Sequence, residues 1–316
     1  MEKPLITVIA PMYNEESTVN KYAQVTLKAL SVLNEKYNYE ILFVNDGSRD
    51  ATLQKMAEVQ EKYPNNCGII NHSRNFGLEG AVNSGLRKAK GDAVVVMDAD
   101  LQDPPPLIVD MVKKWEEGAD IVVASRVART KDNFFKRFSA SCYYKLLDSL
   151  SGKLKLEKSA ANYRLLSRKA VDKLLELPEV NTYFRVNVPF IGMKTDKVEY
   201  DRDKRNAGET KYNFKSLIRC ALDGLTSIST EPLHKIIYTI PVTIVLMIAS
   251  IIGMFIYHDI YFALSLTVFI FSILFFFLFL ALAVIGEYVA QIMIETRHRP
   301  TSIIYEYKPS KISEKK

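Results

Sequence analysis

From His234 to Gly286 the chain is almost entirely apolar, and this stretch limits the fold more than any other feature. Ile236 to Tyr257 carries no charge, and neither does Ile260 to Gly286. Each segment, as a helix rising about 1.5 Å per residue, is long enough to cross a hydrocarbon layer about 30 Å thick. Only His258 and Asp259 separate them. The sequence therefore predicts a tight helical hairpin with both long flanks on one side of a membrane. The alternative is a helical hairpin buried in a soluble protein, but segments this long and uncharged are unusual in a domain of this size.

The flanks indicate which side. From Arg297 onward the chain carries Arg297, Arg299, Lys308, Lys311, Lys315 and Lys316 against Glu306 and Glu314. Lys204, Arg205, Lys211, Lys215 and Arg219 precede the first segment. Positive charge stays in the cytoplasm, so the large N-terminal part is expected there. The start, MEKPLITVIAP, is too short and too β-branched for a signal peptide. Cys67, Cys142 and Cys220 are scattered, and no CxxC occurs, so neither a zinc site nor a disulfide framework is indicated. That usage fits a reducing cytosol.

Before the apolar stretch the chain alternates apolar strands with helices. Strands are expected at Leu5–Ala10, in YEILFVN, in CGIINH, at Ala93–Met97 and in ADIVVASR. Helices are expected over about 17–36, 51–63 and 78–90. Continuous apolar strands alternating with helices predict an α/β domain with a mostly parallel sheet covered on both faces. Ligands bind such sheets beyond the carboxyl ends of the strands. There the sequence places Tyr13-Asn14-Glu15, Asn45-Asp46-Gly47, Arg74-Asn75, Asp98-Ala99-Asp100 and Ser125-Arg126. Two basic, aromatic-rich stretches, 133–150 and 214–228, are candidates for membrane-interface helices. For the first, packing on the sheet is an equal alternative.

The fourth strand runs into Asp98, Asp100 and Asp103. Three carboxylates on one loop repel one another unless a positive group sits among them. Asp98, Asp100 and the amide oxygen of Gln102 offer oxygen ligands of the kind Mg²⁺ or Mn²⁺ prefers. Such an ion is usually shared with substrate phosphates. Asp103 alone is explained as a helix start, since Pro104 follows it.

PMYNEE, VNDGSRDAT, SRNFGLEGAVNSGLRKAKGD, MDADLQDPP, NYRLLSR and RNAGETKYNF occur in this order. Together they resemble the family 2 glycosyltransferases of GT-A (Rossmann-like) fold, and among them the polyprenyl-phosphate branch of bactoprenol glucosyltransferases and dolichol-phosphate mannosyltransferases. The resemblance continues through the apolar pair to GEYVAQIMIETRHRP. It implies a catalytic domain over 1–213, an amphipathic juxtamembrane helix over 214–233, and two transmembrane helices within 234–286, at about 236–257 and 260–285. A basic cytoplasmic tail over 287–316 would follow. It also implies roles for single residues. Pro11, Tyr13, Glu15, Asp46 and Asp98 would bind the nucleotide sugar, with Asp46 recognising the base. Asp98, Asp100 and Gln102 would hold Mg²⁺ or Mn²⁺ and the diphosphate. Arg126, Arg137 and Ser141 would grip an acceptor phosphate. Arg205 and Lys211 would close over the phosphates, the alternative being a solvated flank that touches anionic lipid.

Many members of the family have Asp where this chain has Asn162. A phosphate acceptor is already ionised at neutral pH, so it needs placing more than deprotonating. Asn162 therefore stays among the catalytic candidates with Asp100, Arg205 and Lys211, and Arg164 is expected to pair with the acidic loop. The chain is expected to be an inverting hexosyltransferase, multi-pass in the inner or plasma membrane with its catalytic domain cytoplasmic. It would move glucose or N-acetylglucosamine from a UDP-linked donor to polyprenyl (undecaprenyl) phosphate for cell-envelope glycans. A homo-oligomer is left open, and nucleic acid is not an expected partner. The alternatives are a non-catalytic, transferase-like membrane partner, which Asn162 alone would favour, and transfer to another lipid. A processive polysaccharide synthase is disfavoured, because Trp115 is the sole tryptophan and no Q-x-x-R-W occurs.

Overall fold

The computed structural model describes residues 3–126, 160–180, 183–200, 231–256 and 260–316. The two stretches 133–150 and 214–228 lie outside the described residues. The chain divides into two compact units, one containing the sheet together with Arg299–Lys316, the other containing the two apolar helices.

The first unit is built on an eight-stranded mixed sheet. Its strands are β1 (Leu5–Met12), β2 (Asn38–Asn45), β3 (Cys67–His72), β4 (Ala93–Val96), β5 (Ile121–Arg126), β6 (Ala160–Ser167), β7 (Thr195–Tyr200) and β8 (Ile304–Lys308). The order across the sheet is β7-β5-β6-β4-β1-β2-β3-β8. β4, β1, β2 and β3 run parallel to one another, as the apolar runs predict. Helices α1 (Val19–Ser31), α2 (Thr52–Lys62) and α3 (Gly77–Lys88) connect them, and α4 (Leu107–Glu116) leads to β5. β6 enters antiparallel between β4 and β5. It is followed by α5 (Arg168–Leu175) and α6 (Phe184–Phe190).

Every residue of β1 is buried. Its side chains alternate between two cores. Ile6, Val8 and Ala10 pack with Phe43, Val95, Tyr22 and Met111 on one face. Ile9 packs with Leu42, Val44, Val94, Val82 and Leu86 on the other. Each fully buried aliphatic side chain contributes about 1.5–3 kcal/mol, which is why the central strands read as unbroken apolar runs.

The segment expected as a basic tail is different in the structure. The second apolar helix does not stop near residue 285. After that helix, β8 pairs antiparallel with β3, with Ile69 opposite Lys308 and His72 opposite Ile304. A short helix, α10 (Lys311–Lys315), ends the chain, capped by Ser310, whose hydroxyl accepts from Ser313 N–H at 3.1 Å. The Ser310 hydroxyl also donates to Glu40, a residue 1% exposed on β2 that accepts from Thr7 Oγ1 at 2.7 Å. Burial pushes the Glu40 carboxyl above its ordinary range, and these hydroxyls pull it back. The tail's charges conceal a strand signal. Ile303-Ile304-Tyr305-Glu306-Tyr307 is a β-branched and aromatic run between Pro300 and Pro309.

The second unit holds α7 (Glu231–Lys235), a 3₁₀ turn at Ile236–Tyr238, α8 (Thr239–Ile256) and α9 (Ile260–Thr296), with α8 and α9 in contact. Leu233–Ile252 and Ile260–Thr296 are long and apolar enough to cross a membrane. Most of their large apolar side chains are exposed. α9 has 37 residues, so at about 1.5 Å per residue it is about 55 Å long, well beyond a hydrocarbon layer of about 30 Å.

Candidate active site

The parallel strands deliver their loops to one edge of the sheet, and the first two loops are laced together. Pro11 is buried and pairs with Val44 at the end of β1. Tyr13, half-buried, follows it. Asn14 sits in the left-handed region at φ 54°, a conformation Asn tolerates better than most residues. Its N–H donates to Ser48 Oγ at 3.0 Å, and its Oδ1 accepts from Arg49 N–H at 2.9 Å. Glu15 N–H donates to Thr52 Oγ1 at 2.8 Å.

Asp46 lies deeper, 3% exposed. Its Oδ1 accepts from Phe76 N–H at 2.8 Å and bonds His72 Nδ1 at 2.9 Å, while Oδ2 accepts from Gly77 N–H at 2.9 Å. Phe76 and Gly77 form the first turn of α3, whose free amides favour a carboxylate. Beside Asp46 the chain turns at Gly47, φ 65°, pressed against the Arg74–Asn75 peptide. A Cβ there would stand 2.3 Å from the Arg74 carbonyl carbon. Asp46 thus clamps the β2 loop to the β3 loop, and both of its oxygens are engaged in doing so.

The acidic loop leaves β4. Leu101 turns it at φ 54°, an uncommon conformation for a residue with a bulky side chain, and Asp100 Oδ1 accepts from Gln102 N–H at 3.1 Å. Gln102 is buried. Asp103 is buried as well and is not the helix cap expected from sequence. α4 begins at Leu107 with Pro106 at its N-cap, and Asp103 Oδ1 accepts from the hydroxyl of Tyr200. The run of three prolines delays the helix, because each lacks the N–H that a carboxylate cap would hold.

β6 brings Asn162 to the same place. Val96 pairs with Arg164, so in an antiparallel ladder Asn162 falls level with Asp98. Asn162, 4% exposed, accepts at Oδ1 from Arg185 Nε at 2.7 Å, and its amide pulls the Asp98 carboxyl down. Burial holds the Asp98 carboxyl above the ordinary range, and Asp103 and Asp100 push it the same way. Arg185 and the Asn162 hydrogen bond pull it back. Glu79 completes the cluster. Its Oε2 accepts from Phe184 N–H at 2.8 Å, and its carboxyl is raised mainly by burial. Arg164, expected on the acidic loop, donates from Nη1 to the Phe184 carbonyl at 3.4 Å and lies over the Phe184 ring.

These residues fit a divalent cation. Asp98 Oδ1 is buried without a hydrogen-bond partner, beside other carboxylates that raise its pKa. Among the described residues no three His, Cys, Asp or Glu side chains gather closely enough to enclose an ion. A cation held here would need substrate oxygens to complete its shell, as Mg²⁺ sites commonly do.

Of the other sequence candidates, Arg126 ends β5 at this edge of the sheet. Arg137, Ser141, Arg205 and Lys211 lie outside the described residues. Sequence reasoning missed Arg185, Glu79 and His72. Arg185 stands in YFRVNVPF, where nothing marks it as polar machinery. His72 ends a strand in a position where a histidine more often serves the core.

The chain is similar to several known proteins. The family model for Glycosyl transferase family 2 matches residues 7–175. A bactoprenol glucosyl transferase of Shigella phage SfV is 37% identical over 311 residues, covering 95% of this chain and 97% of that one. An uncharacterized glycosyltransferase of Bacillus subtilis (strain 168), YkcC, is 37% identical over 305 residues, covering 94% and 92%. A crystal structure of glucosyl-3-phosphoglycerate synthase from Mycobacterium tuberculosis aligns at TM-score 0.49 and 17% identity, covering 71% of this chain and 79% of that one. The chain belongs to glycosyl transferase family 2 and is a glycosyltransferase.

Proposed function

We propose that this glycosyltransferase moves glucose, with inversion, from UDP-glucose to a polyprenyl phosphate such as undecaprenyl phosphate. The observation that carries the reading is Asn162, level with Asp98 and bonded through Oδ1 to Arg185. At the position level with Asp98 stands an amide that cannot take up a proton, and its oxygen is already committed to Arg185. Asp103 is committed to Tyr200. An acceptor that arrives ionised suits such a site, and a lipid phosphate is ionised at neutral pH. The relatives named bactoprenol glucosyl transferase support the same acceptor and sugar.

In the proposed reaction a phosphate oxygen of the lipid attacks the anomeric carbon of the donor. The bond from that carbon to the diphosphate oxygen breaks, and its electron pair leaves with UDP. A single displacement inverts the centre. Asp98, Asp100 and the Gln102 amide oxygen would hold Mg²⁺ or Mn²⁺, which when bound supplies positive charge to the leaving diphosphate. Arg205 and Lys211 close over the same phosphates, Arg being suited to forked contact with their oxygens. Arg126, Arg137 and Ser141 orient the acceptor phosphate. Pro11, Tyr13 and Glu15 form the nucleotide pocket, and Asp46 shapes that pocket by clamping its loops. The two apolar helices span the inner or plasma membrane, and the flanking positive charge keeps the catalytic domain cytoplasmic.

The test is label transfer by the full chain in detergent. Undecaprenyl phosphate and Mg²⁺ or Mn²⁺ are supplied with labelled UDP-glucose, UDP-N-acetylglucosamine or GDP-mannose in parallel. A metal-dependent, acid-labile lipid product from UDP-glucose is expected, and Asp100→Ala should abolish it. No lipid product from any donor, in protein that still binds nucleotide, would overturn the acceptor. Near-normal turnover by Asp100→Ala would overturn the cation's role.

A further inference from the structure

A buried hydrogen-bonded chain leads from Asp46 out of the nucleotide loops. His72 Nδ1 bonds Asp46 Oδ1 at 2.9 Å, His72 Nε2 bonds Ser84 Oγ at 2.8 Å, and Ser84 Oγ bonds Ser302 Oγ at 2.5 Å. Asp46, His72 and Ser84 are each no more than 3% exposed. Ser302 belongs to the C-terminal segment, which runs beside the first turn of α3. Ser73 N–H donates to the Ile303 carbonyl at 3.0 Å. Gly80 permits this approach, because a Cβ there would stand 3.1 Å from the Thr301 carbonyl oxygen and 3.0 Å from Phe76 Cβ. The His72 ring also meets the Phe76 ring edge-on at 5.5 Å, and Arg74 lies 4.0 Å over that ring.

A histidine ring has two nitrogens in fixed relation, so bonds at both ends fix its plane. Ser302 therefore orients Ser84, Ser84 orients His72, and His72 holds the carboxylate that clamps the Gly47 turn to the Arg74–Gly77 loop. Both loops stand at the carboxyl ends of the strands where donor is proposed to bind. We propose that His72 and Ser302 are positioning residues for the donor nucleotide, and that the C-terminal segment Arg299–Ile304 is a built part of the donor site rather than a tail. Acting on the nucleotide through this chain, the segment contributes to donor binding, so its loss weakens binding and leaves the transfer step largely intact.

The proposal rests on the donor reading above, and its test separates the two. UDP is titrated calorimetrically into the full chain with Mg²⁺, and the donor KM and kcat are measured with UDP-glucose. His72→Ala and Ser302→Ala should each raise the UDP Kd and the donor KM about tenfold, the size expected for one buried hydrogen bond, with kcat changed less than about threefold. Ser302→Thr keeps the hydroxyl and should restore the KM. Faster amide exchange in residues 73–77 should accompany both alanine variants. Wild-type protein that binds no UDP would overturn the donor reading itself. Wild-type protein that binds UDP, with both alanine variants binding it equally well, would overturn this inference alone. A lowered melting temperature with unchanged Kd and KM would likewise overturn it, showing the chain to serve only the fold.

Discussion

Asp46→Asn separates two roles for a carboxylate that the family resemblance assigns to the nucleotide base. In the structure Asp46 accepts from Phe76 N–H, Gly77 N–H and His72 Nδ1, all within 2.9 Å. Asparagine keeps an acceptor at Oδ1 but turns an NH₂ group toward Gly77 N–H, setting donor against donor. A hydrogen bond to a charged acceptor is worth about 1.5–3 kcal/mol, and a buried unsatisfied amide costs about 1–3 kcal/mol. Gly77 N–H has a second acceptor in Asn75 Oδ1 at 3.1 Å, which offsets part of that cost. The net loss should be about 2–3 kcal/mol, or about 5–10 °C in melting temperature for a unit of this size. Trp115, the sole tryptophan, packs against Tyr37 within the sheet unit, so its fluorescence follows the melting of that unit. The measurement is a Trp115 melt of nucleotide-free protein in detergent, with a parallel UDP titration. A melt unchanged from wild type together with lost UDP affinity would refute the clamp and restore direct base recognition.

Two further substitutions probe the charged clusters. Arg185→Ala removes the donor that fixes Asn162 and a cation whose charge favours the Asp98 carboxylate. Metal affinity, read by Mn²⁺ titration, should fall about 10–100-fold, as is usual when a partner of a metal-binding group is lost; unchanged affinity would show Arg185 to be incidental. Glu40→Gln tests the anchor of the C-terminal segment. A carboxyl whose folded pKa is raised contributes stability below its unfolded pKa and loses it as pH rises through the folded pKa. Wild-type protein should therefore lose melting temperature from this group as pH rises above the ordinary glutamate range. Glu40→Gln should flatten that dependence and melt at or above wild type at pH 8, whereas Glu40→Ala, which strands the Thr7 and Ser310 hydroxyls, should melt lower at every pH. A Gln variant as unstable as the Ala variant at pH 8 would show that the charge itself is needed.

The parallel core was legible because its strands are buried on both faces and so read as unbroken apolar runs. β1 and β4 stand where the sequence put them. β6 and β7 carry no clear strand signal, since AANYRLLS and TDKVEY mix polar and charged residues into short segments that fit several structures. β8 was hidden by its charges and by its distance in sequence from β3, its partner. The acidic loop was legible through the repulsion of Asp98, Asp100 and Asp103. Arg185 and His72 were not, because what makes them site residues is the groups they meet across the fold, Asn162 and Asp46, at separations that no local pattern records.

The charge balance around Asp98 explains why an amide suits position 162. Asp98 is already held above the ordinary carboxylate range by burial and by Asp103 and Asp100. A carboxylate at 162 would add a like charge level with Asp98 and would draw Arg185 into an ion pair, taking that cation from Asp98. An amide does neither. It accepts from Arg185 and leaves that guanidinium to offset part of the Asp98 charge. In this arrangement Asp98 stays available to a divalent cation, and position 162 gives up proton transfer. That exchange fits the proposed reaction, in which the acceptor phosphate arrives without a proton to remove.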